Sequence, residues 1–143
     1  MEETSLRLNT QKYVNDIAYK VVGCAIEVHN YLGPGLLESI YEESLAEEMN
    51  RKGLLVKRQV LVPIFYKGVE ITAPLRIDLL VNDAVIVEVK AVENILPIFQ
   101  AQLLTYLKLT DKPKGLLINF NCESVTQGLV PLVTNEFAKL PKS

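Results

Sequence analysis

The sequence predicts an α/β (α+β) fold in which helices flank a small mixed sheet. Three patterns carry that expectation. Two helix-periodic segments open the chain, over residues 10–31 and 36–52. Alternating apolar runs follow over 56–66 and 75–90. A third helical segment, 97–110, separates the second run from the wholly apolar stretch 115–120, which is the order a parallel crossover requires. The elements then read α, α, three strands, α, β and a short β tail. At 143 residues the chain is expected to form one domain, 1–143, with a substantial core.

In the first helix, Val14, Ile17, Val21, Cys24, Ala25 and Val28 recur at helical spacing. Gly33, Pro34 and Gly35 end it, because proline removes a donor and glycine permits unusual dihedrals. The second helix, residues 36–52, places Leu37, Ile40, Tyr41, Leu45 and Met49 on one stripe and stops at Gly53. The strand over 56–66 puts Val56, Val60, Val62 and Ile64 on one face, and Pro63 marks it as an edge or bulged strand. Lys67 and Gly68 signal a turn, after which 69–73 completes a hairpin. The helix over 97–110 has Leu103, Leu104 and Leu107 as its apolar positions. Residues 115–120 form a sheet-centre strand and 129–133 a last strand.

The stretch 75–90 is the informative one. Asp78, Glu88 and Lys90 interrupt an apolar strand–turn–strand pattern, and charge on a buried strand is costly unless something compensates it. A two-residue turn at Asn82 and Asp83 would send Asp78 and Glu88 to opposite faces. A three-residue turn, Asn82 to Ala84, opposes them and collects Ile77, Leu79, Val81, Val85, Val87 and Val89 on one apolar face. Arg76, Asp78, Leu80, Ile86, Glu88 and Lys90 then share the other. The apolar pattern selects the three-residue turn, with the two acidic Cα atoms roughly 5 Å apart. Two anions that close repel at neutral pH, and Mg²⁺ or Mn²⁺ between them resolves the conflict with oxygen ligands. Gln102 and Tyr106, four residues apart on one helix face, complete a polar pocket, and Glu38 is a fourth candidate.

Composition excludes several classes. With 49% hydrophobic and 22% charged residues the chain is globular rather than disordered. A net charge of −2 argues against tight non-specific nucleic-acid binding but leaves room for a local basic groove. Cys24 and Cys122 lie far apart in apolar surroundings and read as two buried free thiols of a reducing cytoplasm. Met1 to Ser5 lacks a secretion signature, and no run reaches the roughly 20 apolar residues of a membrane span. The expectation is a cytoplasmic protein with no membrane association.

Asp78, Glu88, Val89 and Lys90, followed by Gln102 and Tyr106, resemble the active-site signature of the PD-(D/E)xK nuclease superfamily. Gly35, Glu38 and Tyr41 resemble the motif of its GxxExxY branch. The likeness runs from about residue 12 to about residue 130. Ile77 stands where the superfamily's name has proline. The resemblance implies a restriction-endonuclease-like αβββαβ core and Mg²⁺- or Mn²⁺-dependent phosphodiester hydrolysis, on DNA ahead of RNA. Asp78, Glu88 and the Val89 carbonyl would hold the metal, and Lys90 would position water and stabilise phosphate charge. Glu38, Gln102 and Tyr106 would complete the catalytic set.

Arg51, Lys52, Lys57 and Arg58, with Lys108, Lys112 and Lys114 beyond the site, are the candidate grips on nucleic acid. Competing readings are a non-catalytic nucleic-acid or partner-binding module that retains the fold, and a homodimer joined at an edge strand. Asp78 is alternatively a structural ion pair with Arg76 or Lys90. Tyr41 and the single histidine, His29, read as packing residues.

Overall fold

The computed structural model describes residues 9–143. Met1 to Ser5, the basis for expecting no secretion signal, lies outside them. Helix α1, Gln11–Leu32, starts at Thr10, whose side chain accepts from the Tyr13 N–H, and ends at Gly33 with φ 72°. Helix α2 is Glu38–Arg51. Strands β1 (Val56–Val62), β2 (Phe65–Tyr66), β3 (Val69–Glu70), β4 (Leu75–Val81) and β5 (Val85–Lys90) lead to helix α3, Pro97–Thr110. Strands β6 (Lys114–Asn119) and β7 (Leu129–Val133) and a short helix α4, Asn135–Lys139, complete the order. That last helix carries no sequence periodicity long enough to announce it.

One sheet runs β1-β4-β5-β6-β7. Every neighbouring pair is antiparallel except β5 and β6, which α3 connects as the crossover. Helices α1 and α2 cover one face through Val14, Val21, Tyr41, Leu45 and Met49, packed on Leu79, Val81, Val85, Val87 and Val89. Helix α3 covers the other through Leu103 and Leu107, packed on Leu80, Ile86 and Leu117. Its approach to β6 is so close that a Cβ at Gly115 would lie 3.0 Å from the Leu103 side chain. The result is a mixed sheet between helical layers, a restriction-endonuclease-like arrangement. No helix among the described residues is long and apolar enough to cross a membrane.

Several expectations need correction. Ile77 joins Leu75, Leu80 and Ile86 in the α3-side core rather than Leu79 and Val81. Val56 packs on the other core from Val60, Val62 and Ile64. Both departures have one cause, because the strands lose their regular alternation around Asp78 and its β1 neighbour Gln59, which has φ 50°. Leu37 and Ile40 are exposed, since the buried stripe of α2 begins only at Tyr41. The hairpin expected over 69–73 pairs only Phe65 with Glu70 and Tyr66 with Val69, as a separate two-stranded ribbon. Cys24 is a buried free thiol as expected, whereas Cys122 is half-exposed.

Tyr41 is a core residue. It is fully buried and stacked on Phe120, with centroids 4.6 Å apart. Its hydroxyl accepts from the Leu36 N–H and donates to the Gly33 carbonyl, so it pins the glycine turn before α2. Tyr41→Phe leaves those groups unsatisfied and is expected to cost about 1–3 kcal/mol, read as a fall in denaturation midpoint with unchanged slope. His29 is structural as well, bonded at 2.7 Å to the Cys122 carbonyl oxygen and lying beside Phe120.

Candidate active site

The turn between β4 and β5 has three residues, 82–84, with Asn82 and Asp83 both left-handed. Asn82 suits that conformation, and its side chain also accepts from the Leu55 N–H. The register that follows, Leu79 with Val87 and Val81 with Val85, ends just short of Asp78 and Glu88. There the side chains replace the main-chain ladder. The Asp78 N–H donates to Glu88 Oε2 at 2.9 Å, and the Val89 N–H donates to Asp78 Oδ2 at 2.9 Å. On the other flank, Gln59 leaves the β1–β4 ladder where it would face Asp78. Asp78 therefore sits in a fork of the sheet, with regular pairing interrupted on both sides.

The fork is partly dry, and its electrostatics follow. Burial pushes the Glu88 carboxyl up from 4.5 to about 8, with the Asp78 charge adding to the rise. Burial likewise raises Asp78, against the lowering effect of the Val89 N–H; Glu42, Lys90 and Glu38 also act on it. No ion pair joins Asp78 to Arg76 or Lys90 among the described residues, although the Lys90 charge acts to lower both carboxyls.

Lys90, half-buried at the end of β5, holds its ammonium 4.5 Å from the centre of the Phe99 ring. The strand end beneath it is clamped. Phe120 N–H donates to the Lys90 carbonyl, and buried Asn119 bonds both the N–H and the carbonyl of Val92. Glu38, exposed at the first turn of α2, accepts from the Ala91 N–H at 3.3 Å and so stands at the rim. Gln102 donates to the Tyr106 hydroxyl at 2.6 Å. Burial raises the Tyr106 hydroxyl, and the Glu88 charge raises it further.

Two contributors escaped sequence reasoning. Glu42 is buried, accepts from Arg58 at 3.3 Å and from Gln59 at 2.8 Å, and acts electrostatically on both Asp78 and Glu88. Its four-residue spacing from Glu38 was the available signal. Phe99 reads in sequence as ordinary apolar helix content. Removing its ring by Phe99→Leu is expected to slow turnover about three- to tenfold with KM little changed, and Phe99→Tyr is expected to restore it. Equal turnover in wild type and Phe99→Leu would show that the ring does not position Lys90.

The proposed basic grips do not converge here. Arg51 and Lys52 bind Glu47 and Glu48 at the far end of α2, about 20 Å along the helix from Glu38. Arg58 binds Glu42, Lys112 binds Asp83, and Lys114 meets Asn15. Lys57 and Lys108 are exposed.

Among the described residues no three His, Cys, Asp or Glu side chains converge as a ready cation cage. The donors nevertheless fit a hard divalent ion. Two carboxylates with raised proton affinity lie on adjoining strands, and each uses one oxygen on a main-chain N–H. A cation there would rely on them, on main-chain oxygen such as that of Val89, and on water, a set typical of Mg²⁺. A family model described as the PD-(D/E)XK nuclease superfamily matches residues 15–130. No curated protein and no solved structure matches the chain.

Proposed function

Because the chain belongs to the PD-(D/E)XK nuclease superfamily, we propose that it hydrolyses phosphodiester bonds of nucleic acid with a divalent metal, DNA being the first substrate to test and RNA the second. The observation that supports this most is the crossed pair of bonds by which the Asp78 N–H reaches Glu88 and the Val89 N–H reaches Asp78. A bound Mg²⁺ or Mn²⁺ would supply Lewis-acid stabilisation of the phosphate and a more acidic attacking water.

Asp78, Glu88 and the Val89 carbonyl are the proposed metal-holding groups. Lys90 offsets the negative charge that builds on the phosphate and orients the water, while its apolar seat on Phe99 keeps the ammonium from collapsing onto the carboxylates. Gln102 and Tyr106 hold water or a phosphate oxygen. Glu38 fixes the rim and marks the chain, on this reading, as a GxxExxY branch member. Without a cation the site offers phosphate only Lys90 against the charges of Glu38 and Asp78, since Arg58 is taken up by Glu42 and Glu88 holds a proton at neutral pH, so activity depends on metal. The free thiols Cys24 and Cys122 suit a reducing cytoplasm.

The test is cleavage of DNA and RNA by purified protein with Mg²⁺ or Mn²⁺, beside the Asp78→Asn variant. Cleavage that is the same in both proteins would sink the proposal.

A further inference from the structure

Glu42, on α2, holds two consecutive residues of β1 at once. Arg58 Nε and Nη2 both donate to its Oε2 at 3.3 Å, and Gln59 Nε2 donates to its Oε1 at 2.8 Å. Consecutive residues of a regular strand point to opposite faces, so one carboxylate cannot ordinarily take both. Here it does, because Gln59 is left-handed with φ 50°. A residue with a Cβ keeps that conformation only where its surroundings impose it. Glu42 is itself a buried anion, 7% exposed, and these bonds compensate it.

The result is a change of face that runs across two strands. Val56 packs in the core beneath α1 and α2, whereas Val60 and Val62 pack in the core beneath α3. Regular alternation would keep all three together. On β4, Leu79 belongs to the first core and Ile77 to the second. The pairing keeps one register on both sides of the change, Arg58 with Leu79 and Val60 with Ile77. Gln59 and Asp78 lie between them, unpaired, with no residue inserted on either strand. The switch in β1 therefore lies beside the switch in β4, and the residue at the second is Asp78. A side chain in an unbroken pleat stands off the sheet. The Asp78 carboxylate instead accepts from a main-chain donor of β5, the Val89 N–H, at 2.9 Å.

We propose that Glu42 is a positioning residue of the fork: by clasping Arg58 and Gln59 it holds the change of face in β1, and with it the break in β4 that lets the Asp78 carboxylate reach β5. Glu42 acts through the strand and touches no reacting group. With the clasp gone, Gln59 is free to return to extended backbone. The β1–β4 ladder then closes at its open rung, and Asp78 is drawn back into the pleat. The catalytic sense of this rests on the nuclease reading of the fork, but the geometry is measurable without hydrolysis.

The experiment follows amide hydrogen exchange by NMR in full-length, metal-free wild type, Gln59→Ala and Gln59→Gly, and DNA cleavage by the same proteins in Mn²⁺. Gln59 is exposed, so the fold tolerates both changes. Alanine removes the bond to Glu42 and disfavours the left-handed backbone, whereas glycine removes the bond and accepts that backbone. In Gln59→Ala the amides of Asp78 and Val89, the donors of the crossed bonds, should exchange about tenfold faster. Fully buried Leu117, in β6, should keep its rate. Turnover should fall about tenfold with KM changed by about twofold or less, and Gln59→Gly should recover most of both losses. Wild-type exchange at Asp78 and Val89 in Gln59→Ala overturns the proposal. An equal rise at Leu117 overturns it too, by reducing the clasp to general stability, and so does unchanged turnover beside faster exchange. A loss in the glycine variant as large as in alanine shows that the backbone of Gln59 is not the route. A wild type that cuts nothing refutes the nuclease reading alone, and the exchange rates still decide the clasp. Cleavage that needs Asp78 but ignores Gln59 leaves the nuclease standing without it.

Discussion

Asp78→Asn is expected to remove cleavage while the protein stays folded. The asparagine carbonyl oxygen has the shape and place to accept the Val89 N–H that Asp78 Oδ2 accepts at 2.9 Å, so the fork keeps its local geometry. What disappears is one of two anions in a partly dry site. Activity should fall about 100-fold or more in Mg²⁺, because the proposed cation would lose a charged ligand and the phosphate would lose the stabilisation that cation supplies. Stability should hold or rise, since the Asp78 charge is the second-largest cause pushing Glu88 up. Asp78→Ala behaves differently: it also deletes the acceptor for Val89 and is expected to lose about 1–3 kcal/mol of stability. Initial rates and thermal melts on the same three samples read both halves. A folded Asp78→Asn protein that cuts at the wild-type rate would refute the site assignment.

The contrast between what was legible and what was not follows from the range of each signal. The three-residue turn was legible because only one register kept Leu79, Val81, Val85, Val87 and Val89 together, and those five do share a core. Ile77 failed the same test because alternation presumes an unbroken pleat, and Gln59 and Asp78 break it. Helix α3 was readable to the residue, since Pro97 opens it and a left-handed Asp111 closes it. Glu42 was not, because a glutamate on a helix reads as solvated until the strand carrying Arg58 and Gln59 is laid beside it. Phe99 was missed for a related reason. Apolar periodicity identifies a buried face, not the cation that rests on its edge. The exposed ribbon is the sharpest case, because its rings look like strand content in sequence and only the tertiary arrangement leaves them uncovered.

The same electrostatics predict that Glu88 destabilises the metal-free protein. Its carboxyl rises from 4.5 to about 8 on folding, so the folded state holds a proton that the unfolded chain releases. Stability in EDTA must then fall as pH rises from about 4.5 to about 8, with the penalty absent below that window and complete above it. Every tenfold gain in proton affinity on folding corresponds to about 1.4 kcal/mol, so the full effect is on the order of several kcal/mol for this 8%-exposed group. Glu88→Gln has no charge to desolvate and retains an oxygen to accept the Asp78 N–H. Its melting temperature in EDTA is expected to exceed wild type by on the order of 10 °C above pH 8, with the two curves converging towards pH 5. Adding Mg²⁺ or Mn²⁺ at pH 8 should raise the wild type and leave Glu88→Gln nearly unmoved, closing the gap, because only the anionic site gains from binding. Parallel curves across that pH range would mean that Glu88 is not held in a dry site beside a second anion, and the case for a cation between the two carboxylates would lose its electrostatic basis.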